Sequence, residues 1–268
     1  MSWPVLVFDI ETVPNVEALR ALELAPPELD DAALVEQVQA TRREAGQSDF
    51  LPHHLQRVAV ISCVLRGARG LRVKSFTDAQ GEAAAIQGFF DIIEQHQPQL
   101  VSWNGGGFDL PVLHYRAMAL GVVASKYWDM GEDDREYKWN NYISRYHLRH
   151  LDLMDLLALY QPRANAPLDA LAKLCGFPGK LGMDGAMVWD AYRDGGLDEI
   201  RAYCELDTMN TYLLYCRFQR LRGGLTPSEY DDEVARVRAQ LAKQAEDGEY
   251  HWQEFLDAWP EPRARHGG

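Results

Sequence analysis

An α/β fold, a mixed five-stranded sheet flanked by helices, is predicted by three features of this 268-residue sequence. Short β-branched runs recur along the chain, segments of helical period alternate with them, and the runs end in turn formers or acids. The first run, WPVLVFDI at 3–10, reads as a buried central strand. Residues 15–57 are rich in Leu, Ala and Glu, with prolines at 14, 26, 27 and 52, and read as a helical insertion. Runs at 58–65 and 71–76 pair as strands through a turn at 66–70. Within 79–96, Ala84, Ala85, Phe89, Ile92 and Ile93 fall on one helical face. PQLVSWN at 98–104 is a buried strand running into Gly105, Gly106 and Gly107, and a helix is expected over 109–120. Residues 121–150 are irregular. HLDLMDLLALY at 150–160 reads as a short strand turning into a helix. Then come a small helix at 167–175, a loop at 176–196 holding six glycines, a long helix at 198–221 and another at 228–246. The boundaries imply one domain over 1–222, carrying the insertion 15–57. A helical extension with a frayed tail, EPRARHGG, follows over 223–268.

The composition, 47% hydrophobic with a formal charge of −13, supports a sizeable core and excludes a protein that coats nucleic-acid duplexes. Duplex binding relies on many Lys and Arg contacts to phosphate. A short terminal stretch is still within reach if divalent cations and a local basic patch supply positive charge. Four cysteines without a C-x-x-C pair exclude a zinc knuckle and point to reduced thiols in a cytoplasmic protein. The amino-terminal segment lacks the basic flank of a signal peptide, and no apolar run is long enough to span a membrane.

Three segments carry chemistry. Asp9 and Glu11 are two apart at the end of a predicted strand, so they face the same way. Other acid pairs share this spacing, among them Glu28/Asp30 and Asp247/Glu249, but in polar surroundings where a solvated surface explains them. Asp9 and Glu11 follow VLVF directly, where a surface pair is unexpected and a hard divalent ion relieves the repulsion. In SWNGGGFDLPVL, 102–113, Asp109 falls at a helix start. Two readings stand for it, a helix cap and a metal ligand. On 200–218, Tyr203 and Asp207 are four apart, on a stripe shared with Ile200, Cys204, Thr211 and Leu214. An Asp on an inward stripe needs a partner, either a metal or a core Arg.

Together FDIET, SWNGGGFD and YCELD resemble the three motifs of the DEDDy 3′→5′ exonucleases. The likeness is closest to the exonuclease domain of family-B DNA polymerases and to a stand-alone group of polymerase-B-like predicted 3′–5′ exonucleases. HLDLMDLL and PGKLGMDGAMVW look like that group as well. The resemblance implies a ribonuclease H-like fold and a two-metal site using Mg²⁺ or Mn²⁺. It implies that Asp9 bridges both ions, that Glu11 and Asp207 hold the ion bearing the attacking water, and that Asp109 supports the second. It makes Tyr203 a residue that orients the nucleophile, since a phenol with pKa near 10 is a poor base at neutral pH. Two departures stand out. The segment 15–57 replaces a tight hairpin between the first two strands, and 268 residues leave no room for polymerase domains.

Substrate contacts remain open between a functional and a plain reading. Phe108 stacks on a terminal base or belongs to the core; Asn104 bonds a sugar or closes the turn. Thr12 meets the terminal nucleotide. Arg145 and Arg149, interleaved with aromatics in 138–150, grip a single strand or merely decorate a packed loop. Lys180 touches a phosphate or is a surface lysine, and Asp152 and Asp155 support the site or cap locally. The implied partner is a single-stranded 3′ end, DNA ahead of RNA, as in DNA repair. The alternatives are a 3′→5′ exoribonuclease on the same fold and a non-catalytic module that binds nucleic acid or a protein partner.

Overall fold

The computed structural model describes residues 4–260. The chain begins with β1 (Val5–Pro14), whose Val5, Leu6, Val7 and Phe8 are apolar on both faces and fully buried. Such a strand must lie inside a sheet covered on two sides. α1 (Val16–Ala21) and α2 (Asp31–Glu44) follow, capped by Asn15 and Asp30. The chain then returns as the hairpin β2 (Gln56–Gly67) and β3 (Gly70–Thr77). α3 (Glu82–His96) leads to β4 (Gln99–Ser102), α4 (Asp109–Leu120) and α5 (Ser125–Trp128). β5 (His150–Asp152) turns into α6 (Leu153–Leu157), with Asp152 as its cap. α7 (Leu168–Leu174), α8 (Val188–Arg193), α9 (Leu197–Leu221), α10 (Pro227–Glu246) and α11 (His251–Ala258) complete the described residues.

Among the described residues the sheet has five strands in the order β3-β2-β1-β4-β5. β1, β2 and β3 are antiparallel; β4 and β5 run parallel to β1. This is the mixed α/β arrangement expected. Alternation along β1 separates two cores. Leu6, Phe8 and Ile10 pack with Ile86, Phe89 and Ile93 of α3 and with Leu110 and Leu113 of α4. Val5 and Val7 pack with Met209, Leu213 and Cys216 of α9, and with Val237, Leu241, Trp252 and Phe255 of α10 and α11. Each fully buried side chain of this size contributes about 1.5–3 kcal/mol. Against that trend, two acids on the inner parity of β1 are costly.

Two local expectations are corrected. The glycine-rich stretch 176–196 contains α8, six residues held by tertiary contact, with Val188 buried against Ile200 and Tyr203. Near the carboxyl end, α11 was missed, although Trp252, Phe255 and Trp259 lie on one face at helical spacing and are buried. The expected frayed tail and Trp3, at the start of the first predicted strand, lie outside the described residues. Among the described residues no helix is long and apolar enough to cross a membrane.

A buried ion pair fastens α10 to the sheet. Arg66 of β2 donates to Glu233 through Nε (2.7 Å) and Nη2 (2.8 Å), and the Tyr212 hydroxyl of α9 donates to the same carboxylate (2.6 Å). Removing one partner strands a buried charge. Glu233→Ala is therefore expected to destabilise the protein by about 3–5 kcal/mol in urea unfolding. An unchanged midpoint would show that Arg66 finds other solvation.

Candidate active site

β1 and β4 are parallel neighbours whose chains leave in different directions, β1 towards β2 and β4 through α4 towards β5. Open α/β sheets bind ligands at the crevice that such a divergence leaves. The β1–β4 pairing stops at Val7↔Val101, while β1 continues to Pro14. Asp9 and Glu11 occupy this free end on the parity of Val5 and Val7, half-buried towards α9. Just beyond Glu11 the register with β2 slips, leaving Ala59 without a partner on β1. A bulge of this kind re-aims side chains and marks functional edges. Thr12 follows across it, half-buried.

The free edge of β1 recruits the second segment. Asp109 is the first residue of α4, and Phe108 holds the cap position with no side-chain capping bond. The Asp109 carboxylate reaches back to β1 instead, where Oδ1 accepts from Ile10 N at 3.1 Å. The turn that delivers it is sterically tight. A Cβ on Gly105 would overlap the Ser102 side chain, and one on Gly107 would overlap Asn104 Oδ1. Asn104 adopts a left-handed φ of 65°, a conformation asparagine tolerates. Its backbone N and that of Gly106 donate to Asp152 at 3.0 and 2.9 Å. Asp152 thus shapes the turn while also capping α6. Phe108 is half-buried, its ring centroid 5.4 Å from that of His53 and 5.5 Å from that of Phe50.

α9 brings the third segment. Tyr203 and Asp207 lie one turn apart and are buried. Lys180 Nζ sits 3.1 Å from Asp207 Oδ2 and is hydrogen-bonded to the Tyr203 hydroxyl. The loop bearing Lys180 is fixed to the same helix. Asn210 Oδ1 accepts from Gly179 N (3.1 Å), and its Nδ2 donates to Gly179 O (2.9 Å). Asp169 accepts from Lys180 N at 2.8 Å. Gly179 has a φ of +74°, and a Cβ there would crowd the Asp169 carboxylate.

Sequence reasoning did not find Asn210 or Asp169, and it placed Cys204 on the inward stripe without giving it a role. Asn210 was signalled only by lying one turn beyond Asp207. The Cys204 thiol donates to Asp9 O at 3.4 Å and is held protonated by burial and the surrounding acids. Arg145 and Arg149 find partners away from the carboxylates. Arg145 pairs with Asp155 at 2.7 Å, and Arg149 stacks 3.8 Å over Tyr137 and donates to Asn140 O. Tyr142, expected among the strand-binding rings, is a core residue.

The electrostatics follow from like charges held out of water. Loss of hydration raises the carboxyl of Asp9 well above its ordinary range, and Asp109, Glu11 and Asp207 push it further while Lys180 opposes them. Glu11 is raised by burial and by Asp207. Burial brings Asp109 to about 7. Asp207 is raised by burial too, offset in part by Lys180 and Tyr203. The Tyr203 hydroxyl is driven far above its usual pKa by burial and by Asp207, so it stays a donor. Burial disfavours the Lys180 ammonium, but Asp207, Glu11 and Asp9 outweigh it. Asp207 Oδ1 is buried and has no hydrogen-bond partner among the described residues. An unpaired buried carboxylate oxygen costs about 1–3 kcal/mol or more. Hard carboxylate oxygens of this kind suit a hard divalent cation.

A stability prediction follows from the sign of these shifts. The folded site keeps protons that the unfolded chain releases near pH 4. The metal-free protein should therefore lose stability as pH rises from about 5 through 7, where Asp109 titrates. Mn²⁺ should raise the melting temperature more at pH 8 than at pH 6, because it competes with those protons. Calorimetry in EDTA and in Mn²⁺ reads both; a Mn²⁺ effect independent of pH would refute the coupling.

The model of a family described as predicted 3′-5′ exonucleases related to the exonuclease domain of PolB matches residues 48–259. That match begins downstream of β1, so Asp9 and Glu11 lie outside the matched residues. Among solved structures, the family B DNA polymerase from the hyperthermophilic archaeon Pyrobaculum calidifontis is similar at 18% identity, with a TM-score of 0.49. The similarity covers 92% of this chain and 29% of the polymerase chain. No curated protein matches the sequence. With four-fifths of its length matched, the chain belongs to the family of predicted 3′–5′ exonucleases related to the PolB exonuclease domain.

Proposed function

We propose that the chain removes nucleotides one at a time from the 3′ end of single-stranded DNA, using two divalent ions, Mg²⁺ or Mn²⁺, held among Asp9, Glu11, Asp109 and Asp207. The observation that carries this reading is the buried, unpartnered Asp207 Oδ1 beside a lysine, on a carboxylate whose field reaches Asp9 and Glu11. When bound, two such ions lower the pKa of an attacking water and neutralise charge on the phosphate.

The protein's own groups have separable tasks. Tyr203, held protonated, is a positioning donor for the attacking water and not a base. Lys180 stays charged and is a counter-ion to Asp207 that can turn to a phosphate oxygen. Phe108, next to Asp109, offers a ring to the terminal base, and Thr12 meets its sugar. Asn104 closes the turn that sets both Phe108 and Asp109. Arg145 is exposed enough to add a phosphate contact further along the strand, whereas Arg149 is committed to Tyr137 and the Asn140 carbonyl. The strongly acidic composition confines the grip to a short terminal stretch, as editing or repair of free ends requires.

Matched 3′-labelled DNA and RNA oligonucleotides test the reading. The wild type should release mononucleotides from DNA in Mg²⁺ or Mn²⁺ and none in EDTA. Asp9→Ala and Asp207→Ala should lower turnover by at least about a thousand-fold, and Tyr203→Phe by about a hundred-fold. Full activity in Asp207→Ala would remove the assignment, and preference for RNA would move it to the exoribonuclease alternative.

A further inference from the structure

The segment joining α2 to β2 runs past the mouth of the acidic site and presents a phenyl ring there. Phe50 is 57% exposed, yet its position is defended. Arg42 Nε donates to Ser48 O (2.9 Å), Arg43 pairs with Glu36 (2.6 Å) and Asp49 (3.5 Å), and Phe50 N donates to Ser48 Oγ (3.2 Å). The next residue, Leu51, is buried in a small core with Leu19, Leu34, Val35, Val38 and Leu55. This core is closed by Trp189, in α8 just before the α9 helix of Tyr203 and Asp207. On the other flank, His53 Nε2 donates to Gly107 O at 2.9 Å, a bond that requires the proton on that nitrogen. The ring of Phe50 lies 5.5 Å from that of Phe108, which immediately precedes Asp109. The insertion thus spans from the turn bearing Asp109 to the approach of α9, with one large apolar ring left facing water.

We infer that Phe50 is a base-stacking residue for the substrate strand. It takes the base next to the one at Phe108, so residues 45–55 form a wall of the strand-binding path. This rests on the exonuclease reading. A connecting loop gains nothing by fixing a phenyl ring in water, whereas a base has an apolar face to cover it. Stacking tolerates any base, which suits an enzyme that must accept every nucleotide in turn. The occupant is a nucleic-acid base and not a protein side chain because the ring is continuous with Phe108 at the acids themselves.

The test compares wild type, Phe50→Ala and Phe50→Trp on a short single-stranded DNA and on the p-nitrophenyl ester of thymidine 5′-monophosphate, which carries a single base. Phe50→Ala should raise KM for the oligonucleotide about ten-fold, leave kcat unchanged and leave ester hydrolysis unchanged, while Phe50→Trp restores KM. An unchanged KM, or equal losses on both substrates, overturns the inference. A binding arm separates it from the activity. On the Asp207→Asn background, Phe50→Ala should weaken oligonucleotide binding about ten-fold. If the wild type hydrolyses neither substrate but this binding loss appears, the exonuclease reading fails and the stacking wall stands. If neither hydrolysis nor a binding loss appears, both fall.

Discussion

Four carboxylates that repel one another, two buried and two half-buried, are held at one end of β1, and much of the remaining architecture keeps them from separating. β1 supplies two acids because its inner parity continues past the point where β4 stops pairing. The Ile10 N–H, beyond the last β4 pair, captures Asp109, so the first and second segments are joined through a hydrogen bond between strand and helix start. α9 is tied down on its far side by Glu205, two residues before Asp207. Glu205 accepts from Ser75 of β3 (2.6 Å) and Arg201 (2.9 Å) and lies 2.7 Å from His251 of α11. Moving Asp207 away from its neighbours would therefore tear a buried network on the opposite face of the helix.

The same economy appears in the loops. Asp152 closes the glycine turn and caps α6 with one carboxylate. Asn210 holds the Lys180 loop through a two-way amide bond. Neither residue touches the acids, but each fixes a group that does. Positioning by locked supporting contacts is what a catalytic constellation needs to hold its geometry. The cost is a site that stores electrostatic strain, the usual trade between activity and stability.

Much of this was readable from the residues. The strand runs, the long α9 and the three acidic segments all had periodicity or spacing that local physics makes specific, and Asp9-Ile10-Glu11 declared its parity outright. What could not be read depended on tertiary company. α8 is six residues in a glycine-rich stretch and is helical only because Val188 has a pocket to fill. Asp109 stood between a helix cap and a metal ligand because sequence shows the helix start but not the free backbone of β1 nearby. Lys180 stood between a phosphate contact and a surface lysine because nothing local reveals that Asn210, thirty residues on, pins its loop beside Asp207. Tyr142 and Arg149 sat in a stretch whose composition suits single strands, and packing turned them into core and support.

The charge balance decides how such a protein holds its substrate. With 40 acidic against 27 basic side chains, the long-range field opposes a nucleic acid. The cation that reaches the acids, Lys180, is shared with Asp207 and Tyr203. The proposed function therefore leaves few phosphate contacts from the protein near the scissile end and assigns the attraction to cations and rings. The rings are in place: Phe108 at the start of α4, and Phe50 and His53 brought to it by the insertion. Under the proposed function, the acidic scaffold disfavours long duplexes and a ring-lined mouth that holds cations takes one frayed end. In that division the repulsion is a form of selectivity, since a strand that offers no unstacked base to the rim gains nothing to set against the field.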